Sequence, residues 1–184
     1  MLVLKNYYEL VIKYDFINKF LYENLEEIPK IKKINLNFGY NNNSLNLKNL
    51  AIAILSLELI TKQKGELTHL KNTKLSIKIR KGYPVGCKIT LRKTAMYEFF
   101  FKLLTEVLPQ IKNFYGIKVK RSQINSISFK LINAILFNEL ERHHGLFKTL
   151  PILDITIITN TKNQEELLFL INSHKLPLLT PTKE

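Results

Sequence analysis

Ile34, Leu36 and Phe38 alternate with Lys33, Asn35 and Asn37. The same two-residue rhythm returns at Cys87, Ile89 and Leu91 against Lys88, Thr90 and Arg92. Strand side chains point alternately to opposite faces, so each stretch can bury one side and offer donors and cations on the other. Two such strands in one sheet leave few architectures open: helices must cover the apolar face, while the polar face stays free. For residues 31–38 taken alone, two readings remain. One is a platform for phosphates, sugars or bases; the other is an ordinary half-exposed sheet.

Helical spacing accounts for most of the remaining apolar residues. Leu4, Tyr8, Val11, Ile12, Phe16 and Phe20 predict a helix over 4–22, and Leu47, Leu50, Ala51, Ile54 and Leu57 predict one over 46–61. Met96, Phe99, Phe100, Leu103 and Val107 predict a third over 95–108, with Thr94 as cap and Pro109 as stop. Residues 124–137 begin as a strand and then lose a clear period, and 152–159 form a β-branched strand. Asn163 followed by Glu166 reads as the capped start of a last helix burying Leu167, Leu170 and Ile171. The order predicts an α+β fold: a single twisted, mainly antiparallel sheet with helices packed on one face and an extended basic loop. At 184 residues, with 46% hydrophobic, the chain suits one domain spanning 1–184.

Charge narrows the partner. The chain holds 28 Lys and Arg against 15 Asp and Glu, a formal net charge of +13, which points to a polyanion. Residues 62–93 concentrate it: Lys62, Lys64, Lys71, Lys74, Lys78, Arg80, Lys81, Lys88, Arg92 and Lys93 face one acid, Glu66. An RNA backbone relieves such repulsion by counterion release; a solvated basic face is the plainer alternative. Gly82 and Gly86 bracket Tyr83-Pro84-Val85 and suit a sharp loop, since the spacing of a phosphate-cradling P-loop is absent. Residues 110–122 carry Lys112, Lys118, Lys120 and Arg121, as a second contact surface or a solvated loop.

Several function classes are excluded. No apolar run approaches the ~18 residues needed to cross a bilayer, and the N-terminus lacks a secretory or transit pattern. A single cysteine, Cys87, forms no intramolecular disulfide and no cysteine-built metal site. His143-His144 has no third ligand nearby, and Glu26-Glu27 reads as solvated surface. No acid–base constellation supports an RNA-processing enzyme, and no cofactor or metal is expected. The abundance of Lys, Asn and Ile, all spelled by AT-rich codons, suggests an AT-rich genome.

The central block, Ile79-Arg-Lys-Gly-Tyr-Pro-Val-Gly-Cys-Lys-Ile-Thr-Leu-Arg92 followed by Met96-Tyr-Glu-Phe-Phe100, closely resembles the universal large-ribosomal-subunit protein five family. Further matches lie in order at Tyr7-Tyr8, Pro29 to Gly39, Ile60 to Lys64, Leu108 to Gly116 and Asp154-Ile-Thr-Ile. The resemblance implies a non-catalytic scaffold that binds 5S rRNA in the central protuberance and bridges to the small-subunit head. By motif match, Asn37, Gln63 and Thr90 fall on positions that hydrogen-bond 5S rRNA. With them, Lys33, Asn35, Lys88 and Arg92 complete the expected RNA-binding set. The loop from Lys71 to Gly86, carrying Lys74, Lys78, Arg80, Lys81 and Tyr83, matches the segment that reaches P-site tRNA. Implied partners are 5S rRNA, large-subunit rRNA, P-site tRNA and neighbouring ribosomal proteins, with no membrane span.

The chain departs from the bacterial pattern at Lys120-Arg-Ser-Gln-Ile-Asn125 and at Phe137-Asn-Glu-Leu-Glu-Arg-His-His-Gly145. This drift, the codon bias and the missing targeting segment together suggest a protein encoded inside a mitochondrion, with a plastid or a bacterial cytoplasm as alternatives. A free-standing RNA-binding or RNA-chaperone protein using the same basic face is the competing function.

Overall fold

The computed structural model describes residues 3–40, 47–71, 81–112, 114–119 and 123–179. The fold is α+β, built on a mainly antiparallel five-stranded sheet of order β2-β3-β1-β6-β5. Its strands are β1 Ile31–Gly39, β2 Glu66–His69, β3 Pro84–Leu91, β5 Ser126–Leu131 and β6 Leu153–Thr159. A two-stranded parallel pair joins β4 Ile117–Lys118 to β7 Leu178–Leu179. The chain groups into two compact units. One comprises Met1–Ile34, Leu91–Phe129 and Thr156–Glu184; the other comprises Asn35–Thr90 and Lys130–Ile155.

In the second unit, helix α2 Leu47–Thr61 buries Leu50, Ala53, Leu57 and Ile60, the three-and-four spacing of one helical face. It packs against α4 Asn138–Glu141 and α5 His144–Phe147, which bury Leu140 and Phe147. Leu36, Phe38, Cys87 and Ile89, with Leu153 and Ile155, supply the sheet's share of this core. Ser56 is fully buried but donates to Ala53 O at 2.7 Å, so it leaves no orphan hydroxyl.

In the first unit, helix α1 runs through Val3–Tyr7, a π-turn at Tyr8–Ile12, and Lys13–Lys19. It ends earlier than its apolar spacing suggests, because Phe20 turns to extended backbone (φ −122°, ψ 142°). Phe20 then joins Phe16, Tyr22 and Phe169 in an aromatic cluster instead of continuing the helix. Helix α3 runs through Lys93–Lys102, a π-turn at Leu103–Val107, and Leu108–Gln110, and its first part packs on Val3–Tyr7. Thr94 does not cap it: Arg92 occupies the N-cap, without a side-chain bond, and Lys93 enters with φ 51°.

Helix α6, Gln164–Ser173, also starts differently from the capping pattern. Asn163 makes no side-chain cap bond, whereas Glu166 accepts from Lys162 N at 2.9 Å and from the Tyr22 hydroxyl at 3.4 Å. The helix ends through Lys175 (φ 60°), with Leu176 N bonding Ile171 O at 3.2 Å. That closure normally uses glycine.

Candidate nucleic-acid interface

On β1 every second side chain is buried, at Ile34, Leu36 and Phe38, while Lys33, Asn35 and Asn37 are only half-buried on the opposite face. On β3, Cys87, Ile89 and Leu91 are buried, Lys88 is exposed and Thr90 is half-buried. β1 and β3 are neighbours in the sheet, so Asn35, Asn37, Lys88 and Thr90 lie on adjacent strands of one unit. Lys33 and the exposed Arg92, both assigned to the first unit, extend the same alternations by one step along the chain.

Gln63, which periodicity does not single out, is brought into this group. It follows Lys62, whose left-handed backbone (φ 55°) ends α2, and its Nε2 donates to Thr90 O at 3.3 Å. The Thr61 hydroxyl caps the preceding turn by donating to Leu57 O at 2.7 Å.

The basic segment's lone acid is also placed. Glu66 on β2 pairs in register with Lys88 on β3, and Lys88 Nζ lies 3.3 Å from Glu66 Oε2. With side chains 51% and 74% exposed, this ion pair contributes little to stability and competes for the cation. Asn35 Oδ1, by contrast, is buried with no hydrogen-bond partner among the described residues. Such an orphan acceptor carries a desolvation penalty in the free protein.

Gly86 belongs to β3 and is not a turn residue. A Cβ there would overlap Phe38 O and lie 2.9 Å from Thr68 Oγ1. The glycine thus allows close approach of the β1 backbone. Gly82 is the turn residue, with φ +86° and open space around its missing Cβ. The described base of the basic loop is pinned by Leu70 N to Tyr83 O and Gly82 N to Leu70 O, both 3.0 Å, and by His69 Nδ1 against Gly82 O at 3.1 Å. Lys71 and Lys81 are exposed at this base, and Tyr83 follows, also exposed. Lys74, Lys78 and Arg80 lie outside the described residues.

The chemistry available here is recognition. Burial pushes the Cys87 thiol up to about 12, so it is a neutral core group and not a thiolate nucleophile or ligand. Amides, hydroxyls and lysines presented from a sheet suit phosphate, sugar and base edges. In the other unit, Ser128 on β5 and Thr156 on β6 share a hydroxyl–hydroxyl bond of 3.1 Å, a polar pair that no sequence pattern marks. Among the described residues, no helix is long and apolar enough to cross a membrane.

A family model for the C-terminus of the ribosomal uL5 family matches residues 84–178. The chain is 36% identical over 176 residues to "Large ribosomal subunit protein uL5m" of Reclinomonas americana, covering 95% of this chain and 97% of that protein. It is 32% identical to "Large ribosomal subunit protein uL5" of Blochmanniella floridana, covering 97% and 93%. The protein of that same name from Nitrosomonas europaea is 34% identical, with 95% and 97% covered.

Proposed function

The chain belongs to the uL5 family of large ribosomal subunit proteins, and from that premise we propose that it binds 5S rRNA in the central protuberance through the polar face of β1 and β3. It is a structural ribosomal protein and not an enzyme. Asn37, Gln63 and Thr90 make the hydrogen bonds to the RNA, and Asn35 adds its unpartnered oxygen. Lys33, Lys88 and Arg92 meet the phosphates. The loop carrying Lys71, Lys74, Lys78, Arg80, Lys81 and Tyr83 extends toward P-site tRNA, and a further contact reaches the small-subunit head. Residues 1–184 act as one ribosomal RNA-binding domain. The observation that carries this reading is the convergence of Gln63 on Thr90, beside the alternating polar residues of β1.

The mitochondrial ribosome is the assembly this reading takes, supported by the likeness to the Reclinomonas americana protein and by the abundance of AT-coded residues. The test is sedimentation of the tagged chain from its own compartment. Recovery with large subunits, and with a 5S rRNA in stoichiometric yield, is the expected result. A chain that stays in the light fractions instead favours the free-standing RNA-binding protein.

A further inference from the structure

A cavity of about 690 Å³ opens in the first unit between α1, the segment after it and the start of α3. Its volume falls in the ~300–1,000 Å³ range of ligand pockets. Tyr8, Tyr97 and Ile28 give it an apolar and aromatic lining, while Lys5, Lys13, Lys30 and Lys93 bring four ammonium groups. The one acid present, Glu9, lies 3.7 Å from Lys5. Lys13, Lys30 and Lys93 make no ion pair with any described residue. None of the residues proposed to bind 5S rRNA lines this cavity.

Three features show how the chain builds it. Eight residues of α-helix advance about 800°, which would leave Lys13 about 80° round the helix from Lys5; the extra residue taken up by a π-turn reduces this to about 20°. The π-turn lies between them, at Tyr8–Ile12, and such turns recur at functional sites. Lys30 is held by Asn160, whose Oδ1 accepts from Lys30 N at 2.6 Å and whose Nδ2 donates to Ile28 O at 3.4 Å. Lys93 is exposed yet sits at φ 51°, where a lysine is strained and glycine is not. No packing requirement selects a lysine at an exposed position, so the side chain there points to its charge.

We propose that this cavity binds one splayed-out nucleotide of a single-stranded RNA segment, its base against Tyr8 and Tyr97 and its phosphates on the lysine rim. Aromatic rings accept any base by stacking, and lysines read phosphate without sequence preference. The proposal rests on the reading that the chain binds RNA, but it uses a different surface. It gives the protein a second RNA contact, in the unit that does not hold Gln63 and Thr90. A free nucleotide presents the same chemistry, so the test must separate the two.

The full chain is titrated with a fluorescent single-stranded RNA pentamer containing 4-thiouridine, then irradiated, and cross-linked peptides are mapped. The expected result is cross-linking at Tyr8 or Tyr97. Lys93→Gly should weaken pentamer binding about fivefold and lower the magnitude of the log–log salt slope by about 0.7, the share of one phosphate contact. The same variant should melt no lower than the parent, because the strain is gone; a merely structural lysine would not separate affinity from stability in this way. Lys13→Gln supplies an independent charge deletion. Full pentamer affinity in both variants overturns the proposal, as does saturation of the cavity by micromolar AMP that the pentamer cannot displace. Cross-links confined to β1 and β3 overturn it while leaving the 5S rRNA reading intact; no RNA binding of any kind sinks both.

Discussion

Gln63 Nε2 donates to the backbone oxygen of Thr90 at 3.3 Å, tying the turn after α2 to the end of β3. Because the acceptor is main chain, the bond positions Gln63 while leaving the Thr90 hydroxyl and the Gln63 side-chain oxygen for a ligand. An exposed hydrogen bond of this kind contributes roughly 0.5–1.5 kcal/mol. Gln63→Ala should therefore lower stability by no more than about 1 kcal/mol in urea denaturation, yet weaken 5S rRNA binding about tenfold in a filter assay. A large stability loss with unchanged RNA affinity would assign Gln63 a purely structural role.

Glu66 and Lys88 face each other across β2 and β3 at 3.3 Å. Both are well exposed, so Glu66→Gln should change stability by less than about 0.5 kcal/mol. It should also raise RNA affinity two- to threefold at low salt and steepen the salt dependence, by freeing Lys88 for phosphate. Equal affinities of parent and variant across the salt series would show that Lys88 does not meet the RNA.

Gly82 and Gly86 separate two uses of glycine. At Gly86 an alanine Cβ would collide with the Phe38 carbonyl oxygen, a backbone atom that cannot step aside. Gly86→Ala should cost at least about 2 kcal/mol by forcing β1 and β3 apart. Gly82→Ala meets nothing and bears only the positive φ, about 1 kcal/mol. Thermal melts of the two variants should rank in that order.

His174 is buried against Tyr8, its ring stacked at 6.1 Å, and edge-on to Phe100 at 5.6 Å. Neither ring nitrogen has a partner among the described residues. Burial lowers its pKa from the ordinary 6.5 to about 4, so the folded state binds fewer protons than the unfolded one between these values. Stability is then fully present above pH 6.5 and falls as pH drops toward 4, by up to about 3 kcal/mol. His174→Phe should flatten that part of the profile in denaturation curves taken from pH 7 to 4. A parent profile already flat over that range would contradict the assignment.

The parts of the fold legible in the sequence are those that depend on local period. Alternation over Lys33–Phe38 and Cys87–Arg92 identifies β1, β3 and their faces, because burial on a strand follows every second residue. Gly86 reads as a turn residue in the sequence because its actual reason is tertiary: the passage of the Phe38 carbonyl beside it. Gln63 can come only from family resemblance, since a lone amide in a turn has no period to mark it. The ends of α2 and α6 carry no glycine signal, because Lys62 and Lys175 occupy the left-handed positions where glycine is usual. The lysine-lined cavity is equally hidden, for its cations come from segments far apart in the chain and are aligned by a π-turn that no pattern announces.

Binding of 5S rRNA to the polar face of β1 and β3 is best tested by titrating the 5S rRNA of the same compartment. The parent chain is compared with the Asn37→Ala/Thr90→Ala double variant at several salt concentrations. Affinity should fall at least about tenfold in the variant, with a parallel salt slope and an unchanged melting temperature, because hydrogen bonds are lost and no charges are. Equal affinity of the two proteins would contradict binding through this face.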